Sequence, residues 1–86
     1  MKPDKLLLRA KSGHFANVSF ADLARLAEAL GFTLVRTAGS HRIFRHPAAG
    51  VIPLQPDRNG DAKPYQMRQL IALAEEFKLS IERSGP

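Results

Sequence analysis

The hydrophobic period of this chain changes abruptly near residue 32, and that change restricts the fold more than any other feature. Residues 19–32 read SFADLARLAEALGF, with Phe20, Leu23, Leu26, Ala27 and Leu30 recurring at three-and-four spacing, the pattern of one buried helix face. The apolar residues then fall into short runs rich in branched and aromatic side chains: FTLVR at 32–36, HRIFR at 41–45 and VIPL at 51–54. Such runs read as strands. Their connections, Ala38-Gly39-Ser40 and Ala48-Ala49-Gly50, are short enough for consecutive antiparallel hairpins. Pro53 cannot donate to a ladder, which puts the third strand at an edge or ends it early.

The helix carries its own end signals. Ser19 suits the N-cap, Asp22 stands at the third helical position, and Gly31-Phe32 suits a left-handed stop with a hydrophobic contact. Residues 55–63, QPDRNGDAK, are turn chemistry. Pro64 then fits a first helical position, and Met67, Leu70, Ile71, Ala74 and Phe77 form an apolar stripe, predicting a second helix over 64–78. Residues 5–11 suit a short additional helix ended by Ser12-Gly13, and residues 84–86 read as a frayed tail. The order is helix, three strands, helix: an α+β domain whose helices cover one face of a three-stranded antiparallel sheet and leave the other open.

Size and composition limit what such a domain can do. At 86 residues the expectation is one domain, with an extension at 1–18, a core at 19–79 and a tail at 80–86. Its core is too small to enclose a large cofactor, and none is expected. With no cysteine, neither a disulfide framework nor a thiolate zinc site holds it together. The only apolar run near the start, Leu6 to Leu8, is far short of a signal-peptide core or membrane span, so the reading is cytoplasmic with no membrane partner. The net charge is +5, and Arg36, Arg42, Arg45, Arg58, Lys63 and Arg68 are opposed between 36 and 68 only by Asp57 and Asp61. A field of that sign attracts polyanions, nucleic acid foremost, and equally suits an acidic protein.

His41 is the first candidate for chemistry. Imidazole can take or give a proton at neutral pH. RNA carries its own nucleophile, the 2′-hydroxyl, so cleavage needs mainly a proton carrier and positive groups. The Gly39-Ser40 bend would expose His41, with Arg42 or Arg45 on backbone phosphates. As a residue type alone, an uncommitted surface histidine is the commoner case, by roughly three to one. His14 has no chemical neighbours in sequence, and His46 before Pro47 is extended, either a phosphate contact or idle. The three histidines match no metal-site spacing, and Asp57 and Asp61 are weak ligands, so no metal is expected. At the start of the second helix, free backbone N–H groups and Lys63 would accept a phosphate, and Tyr65 could stack on a base; an ordinary helix start with Tyr65 half-covering the core is equally consistent with these residues.

Three elements in this order, the Gly31-Phe32 junction after a leucine-rich helix, the Gly39-Ser40-His41 bend followed by Ile43-Phe44, and Lys63-Pro64-Tyr65-Gln66 at the last helix, resemble the HicA family of toxins from bacterial type II toxin–antitoxin systems. The resemblance covers roughly residues 19–79. It implies a double-stranded-RNA-binding-like α-β-β-β-α fold, ribosome-independent mRNA cleavage, and a HicB-type antitoxin that binds the toxin and masks its site. The family's catalytic histidine follows the Gly-Ser pair, which corresponds to His41; Ser40, Arg42, Arg45, Lys63 and Tyr65 are the RNA-binding candidates by type and location. The extension through Val18 and the longer loop Pro56-Asp57-Arg58-Asn59-Gly60-Asp61 depart from the family pattern. Two other functions fit the same basic surface: an RNA-binding module that does not cut, and an interaction domain for an acidic partner.

Overall fold

The computed structural model describes residues 1–81, so the tail expected to fray at 84–86 lies outside the described residues. The elements are α1 (Pro3–Lys11), α2 (Phe20–Ala29), β1 (Thr33–Ala38), β2 (His41–His46), β3 (Gly50–Leu54) and α3 (Pro64–Glu76). The strands form one antiparallel sheet in the order β1-β2-β3. From α2 onward this is the α-β-β-β-α arrangement of a double-stranded-RNA-binding-like domain, and Pro53 does lie in an edge strand.

Both ends of α2 follow from its sequence. Ser19 Oγ accepts from Asp22 N at 3.1 Å, satisfying one of the free N–H groups of the first turn. At the other end Gly31 takes φ +100°, Gly31 N donates to Glu28 O at 3.0 Å and Phe32 N donates to Ala27 O at 3.0 Å. That is a Schellman stop, and the left-handed residue it needs is the glycine. Phe32 is carried from there into the core.

The core lies between the helices and one sheet face. Leu23, Leu26, Ala27 and Leu30 of the α2 segment, Met67, Leu70, Ile71 and Ala74 of α3, and Phe44, Ile52 and Leu54 of the sheet form a single buried cluster. The first helix joins it, starting two residues earlier than residues 5–11 would suggest because Pro3 serves as a first helical position. It packs on α2 and α3, burying Leu6 and Ala10, so the amino-terminal extension contributes to the core.

The loop from β3 to α3 is built rather than loose. Asp57 Oδ1 accepts from Asn59 N at 2.8 Å and Asp61 N at 2.9 Å, an aspartate turn that organises the backbone locally. Phe20 N donates to Gly60 O at 3.0 Å and Ala62 N to Val18 O at 2.7 Å. These two bonds strap the loop to the entry of α2. Among the described residues, no helix is long and apolar enough to cross a membrane.

Candidate nucleic-acid interface

Strand alternation sorts the residues of β2 onto two faces. Phe44 is buried against the helices, so Arg42 and His46 share its side while His41, Ile43 and Arg45 stand on the other. Cross-strand pairs extend that open face: Arg36 is paired with Ile43 and Thr33 with Arg45 across β1, and Pro53 and Val51 lie opposite Ile43 and Arg45 on β3. The sequence from 29 to 56, which includes the whole sheet, contains no Asp or Glu. His41, Arg45 and Arg36 are all exposed, so the open face is cationic with an imidazole at one end.

The turn sets that imidazole. Ala38 pairs with His41, leaving a two-residue loop of Gly39 and Ser40. Gly39 has φ +62° and Ser40 is not among the residues of positive φ, the pattern of a type II′ turn, whose twist matches the strands and whose first position calls for glycine. A Cβ at Gly39 would meet nothing within 4 Å, so backbone conformation alone demands the glycine there. Ser40 and His41 are consequently displayed at an exposed hairpin tip.

Arg42 does not join His41 on the open face. Its guanidinium lies 4.8 Å from the centre of the Phe20 ring, and its Nη1 is buried without a hydrogen-bond partner among the described residues. It borders a shallow groove of about 380 Å³ formed with Phe20, Ala21, Ala24, Pro56 and Gly60. His46 is also on the helix side. Its Nδ1 accepts from Ala48 N at 3.0 Å and Ala49 N at 3.2 Å, and its ring sits 5.2 Å from that of Phe32. Of the two uses open to His46 from sequence, phosphate contact or none, the structure shows a third: it caps the second hairpin.

The start of α3 is fastened to the His41 end of the sheet by Gln66, a residue that sequence reasoning passed over as part of a motif. Gln66 is only 5% exposed; its Oε1 accepts from Gln55 N at 3.1 Å, and its Nε2 donates to Tyr65 Oη at 3.4 Å. Gln55 follows Leu54, the partner of Arg42, which puts this clamp beside the first residues of β2. Tyr65 is half exposed there, and Lys63 is the N-cap residue of α3 with no side-chain cap of its own. The signal for Gln66 was available, because it precedes Leu70 and Ala74 at four-residue intervals on the buried stripe. Arg36 also went unselected, since its face depends on the hairpin register.

A small α+β domain with an uncovered, acid-free sheet face and a histidine displayed at its first hairpin is thus defined by structure alone. The comparison with protein families gives that class its particular identity: the family described as HicA toxin of bacterial toxin–antitoxin systems matches residues 20–75. The chain belongs to the HicA toxin family. No curated protein and no solved structure matches it.

Proposed function

We propose that this toxin is an endoribonuclease that cleaves mRNA without a metal and is neutralised by a HicB-type antitoxin. The observation that carries the reading is the setting of His41, exposed immediately after the Gly39-Ser40 turn on the face that also presents Arg36 and Arg45. RNA lying on that face brings a 2′-hydroxyl within reach of an imidazole. His41 carries the proton of the cleavage step, as base toward that hydroxyl or as acid toward the leaving 5′-oxygen, while guanidinium groups offset charge building on the phosphate. The nucleophile belongs to the substrate, so the step calls for no metal-bound water.

Arg45 and Arg36 hold the backbone across the open face. Lys63 and the Tyr65 N–H at the start of α3, where Pro64 has no N–H and Gln66 N donates to Lys63 O, take a further phosphate, the Tyr65 ring stacks a base, and Ser40 positions the chain at the turn. Arg42 faces the other side of the sheet, so it serves a phosphate where the RNA passes around the end of β2 into the Phe20 groove.

Purified protein incubated with mRNA in excess chelator should cut it. His41→Ala should lose at least about a hundredfold in cleavage rate, the usual scale of a general acid or base, with an unchanged melting temperature because the side chain is exposed. Undiminished cleavage by His41→Ala removes the mechanism. RNA retention without cleavage by the intact protein, with or without chelator, assigns the same face to a binding module.

A further inference from the structure

The two edges of the sheet differ in a way that bears on how a protein partner attaches. Strand β3 carries Pro53, which interrupts its outer row of donors, and it lies alongside α3, with Ile52, Pro53, Gln69 and Leu73 lining one groove. Strand β1 has no proline and, among the described residues, no strand on its outer side. All six of its residues are exposed. Leu34, which faces the same side as buried Phe44, is still 43% exposed, and Val35 is 54% exposed. The helices therefore cover β2 and β3 and leave β1 bare on both faces and along its edge, a liability unless something pairs with it.

We propose that β1 is the docking site for an extended, acidic strand of a protein partner, which adds to the sheet beside β1 by backbone pairing. Membership in a toxin–antitoxin family supplies the kind of partner; the charge of the surface supplies its chemistry. Arg36 and Arg45 flank the exposed Val35, which shares a shallow hollow with Thr33, Arg45 and Pro47, and no carboxylate lies anywhere in the sequence from 29 to 56. Alternate Glu or Asp side chains on the incoming strand meet those guanidiniums, and the residues between them cover Leu34 from the other face. Backbone pairing gives such a contact its affinity and the alternating side chains its specificity.

A second copy of this chain fits the edge poorly, because pairing β1 with itself brings two acid-free faces bearing Arg36 and Arg45 together. Docked this way, the partner borders the face that carries His41, which couples binding to toxin control.

The test uses the full chain and a capped peptide of about eight residues, long enough to span the strand, alternating Glu with Val or Thr; its control carries Lys in place of Glu. Backbone amide exchange of residues 33–38 is followed by NMR. The acidic peptide should slow the outward amides of β1 by about tenfold or more, leave β3 unaffected, and lose this effect on Arg36→Glu/Arg45→Glu, which should instead respond to the Lys peptide. Three results overturn the inference: no slowing at millimolar peptide, binding that perturbs the open face without protecting β1, or protection that rises with protein concentration in the absence of peptide, the sign of a second copy. No RNA enters the measurement, so its failure leaves the cleavage assignment standing, and loss of the cleavage assignment leaves this result standing.

Discussion

Gln66, a buried amide bonded to the Gln55 backbone and to Tyr65, ties the start of α3 to the end of β3 beside the candidate site. Leucine in its place would keep the volume and orphan the Gln55 N–H, a loss of about 1–3 kcal/mol. Gln66→Leu should therefore lower the urea midpoint, and because Tyr65 loses its tether, RNA affinity should fall as well. A variant with unaltered stability would show that water satisfies Gln55. Unlike Gln66, His41 is exposed and has no buried partner among the described residues, so it contributes little to the fold. That contrast allows His41→Ala to separate chemistry from stability.

At the scale of elements, the two long helices stop by the same bonds made with different residues. Gly31 ends α2, whereas α3 ends on Lys78 at φ +53°, with Leu79 N donating to Ala74 O at 2.7 Å. A lysine in the left-handed region carries a steric cost that glycine escapes, so Lys78→Gly should stabilise the protein by about 0.5–1 kcal/mol in thermal or denaturant unfolding. An unchanged or lowered midpoint would mean that the Lys78 side chain contributes more than its backbone strain costs. The α2 stop was legible because Gly-Phe after a leucine stripe has few other uses. The α3 stop was not: the stripe continues through Phe77, and the expected helix 64–78 overran the observed end at Glu76, since nothing in the composition of Phe77-Lys78 announces a left-handed residue.

Strand β1 shows the same limit in another form. The helix end turns Phe32 inward and, by alternation, Leu34 with it, while the type II′ turn counts back to place Ala38 and Arg36 on the open face. These phases conflict by one residue, and the bulge at Val35 reconciles them. Each phase is written locally; the bulge that joins them appears only when both ends are held. The separation of His41 and Arg42, by contrast, was available from the period of two along HRIFR, although both were assigned to RNA from charge and position.

For the whole molecule, the amino-terminal segment matters more than its place outside the matched residues 20–75 suggests. Leu6 is fully buried in the common core. Leu6→Ala should cost about 2–5 kcal/mol, the range for emptying a buried leucine site, measured by denaturant unfolding. A loss under about 1 kcal/mol, within surface-substitution scatter, would detach α1 from the core.

The sequence by itself determined the helix–three-strand–helix order, the sites of both hairpins and the positive charge, because each is encoded by near neighbours in the chain. Its motifs also pointed to the family to which the chain belongs. Tertiary structure alone decided which side chains of β1 and β3 share a face with His41, that the strand of Pro53 is an edge, that His46 caps a turn, that Gln66 fastens α3 to β3, and that β1 remains uncovered. Those outcomes depend on register and on which helix lies over which strand, and both are settled when distant segments compete for the same small core.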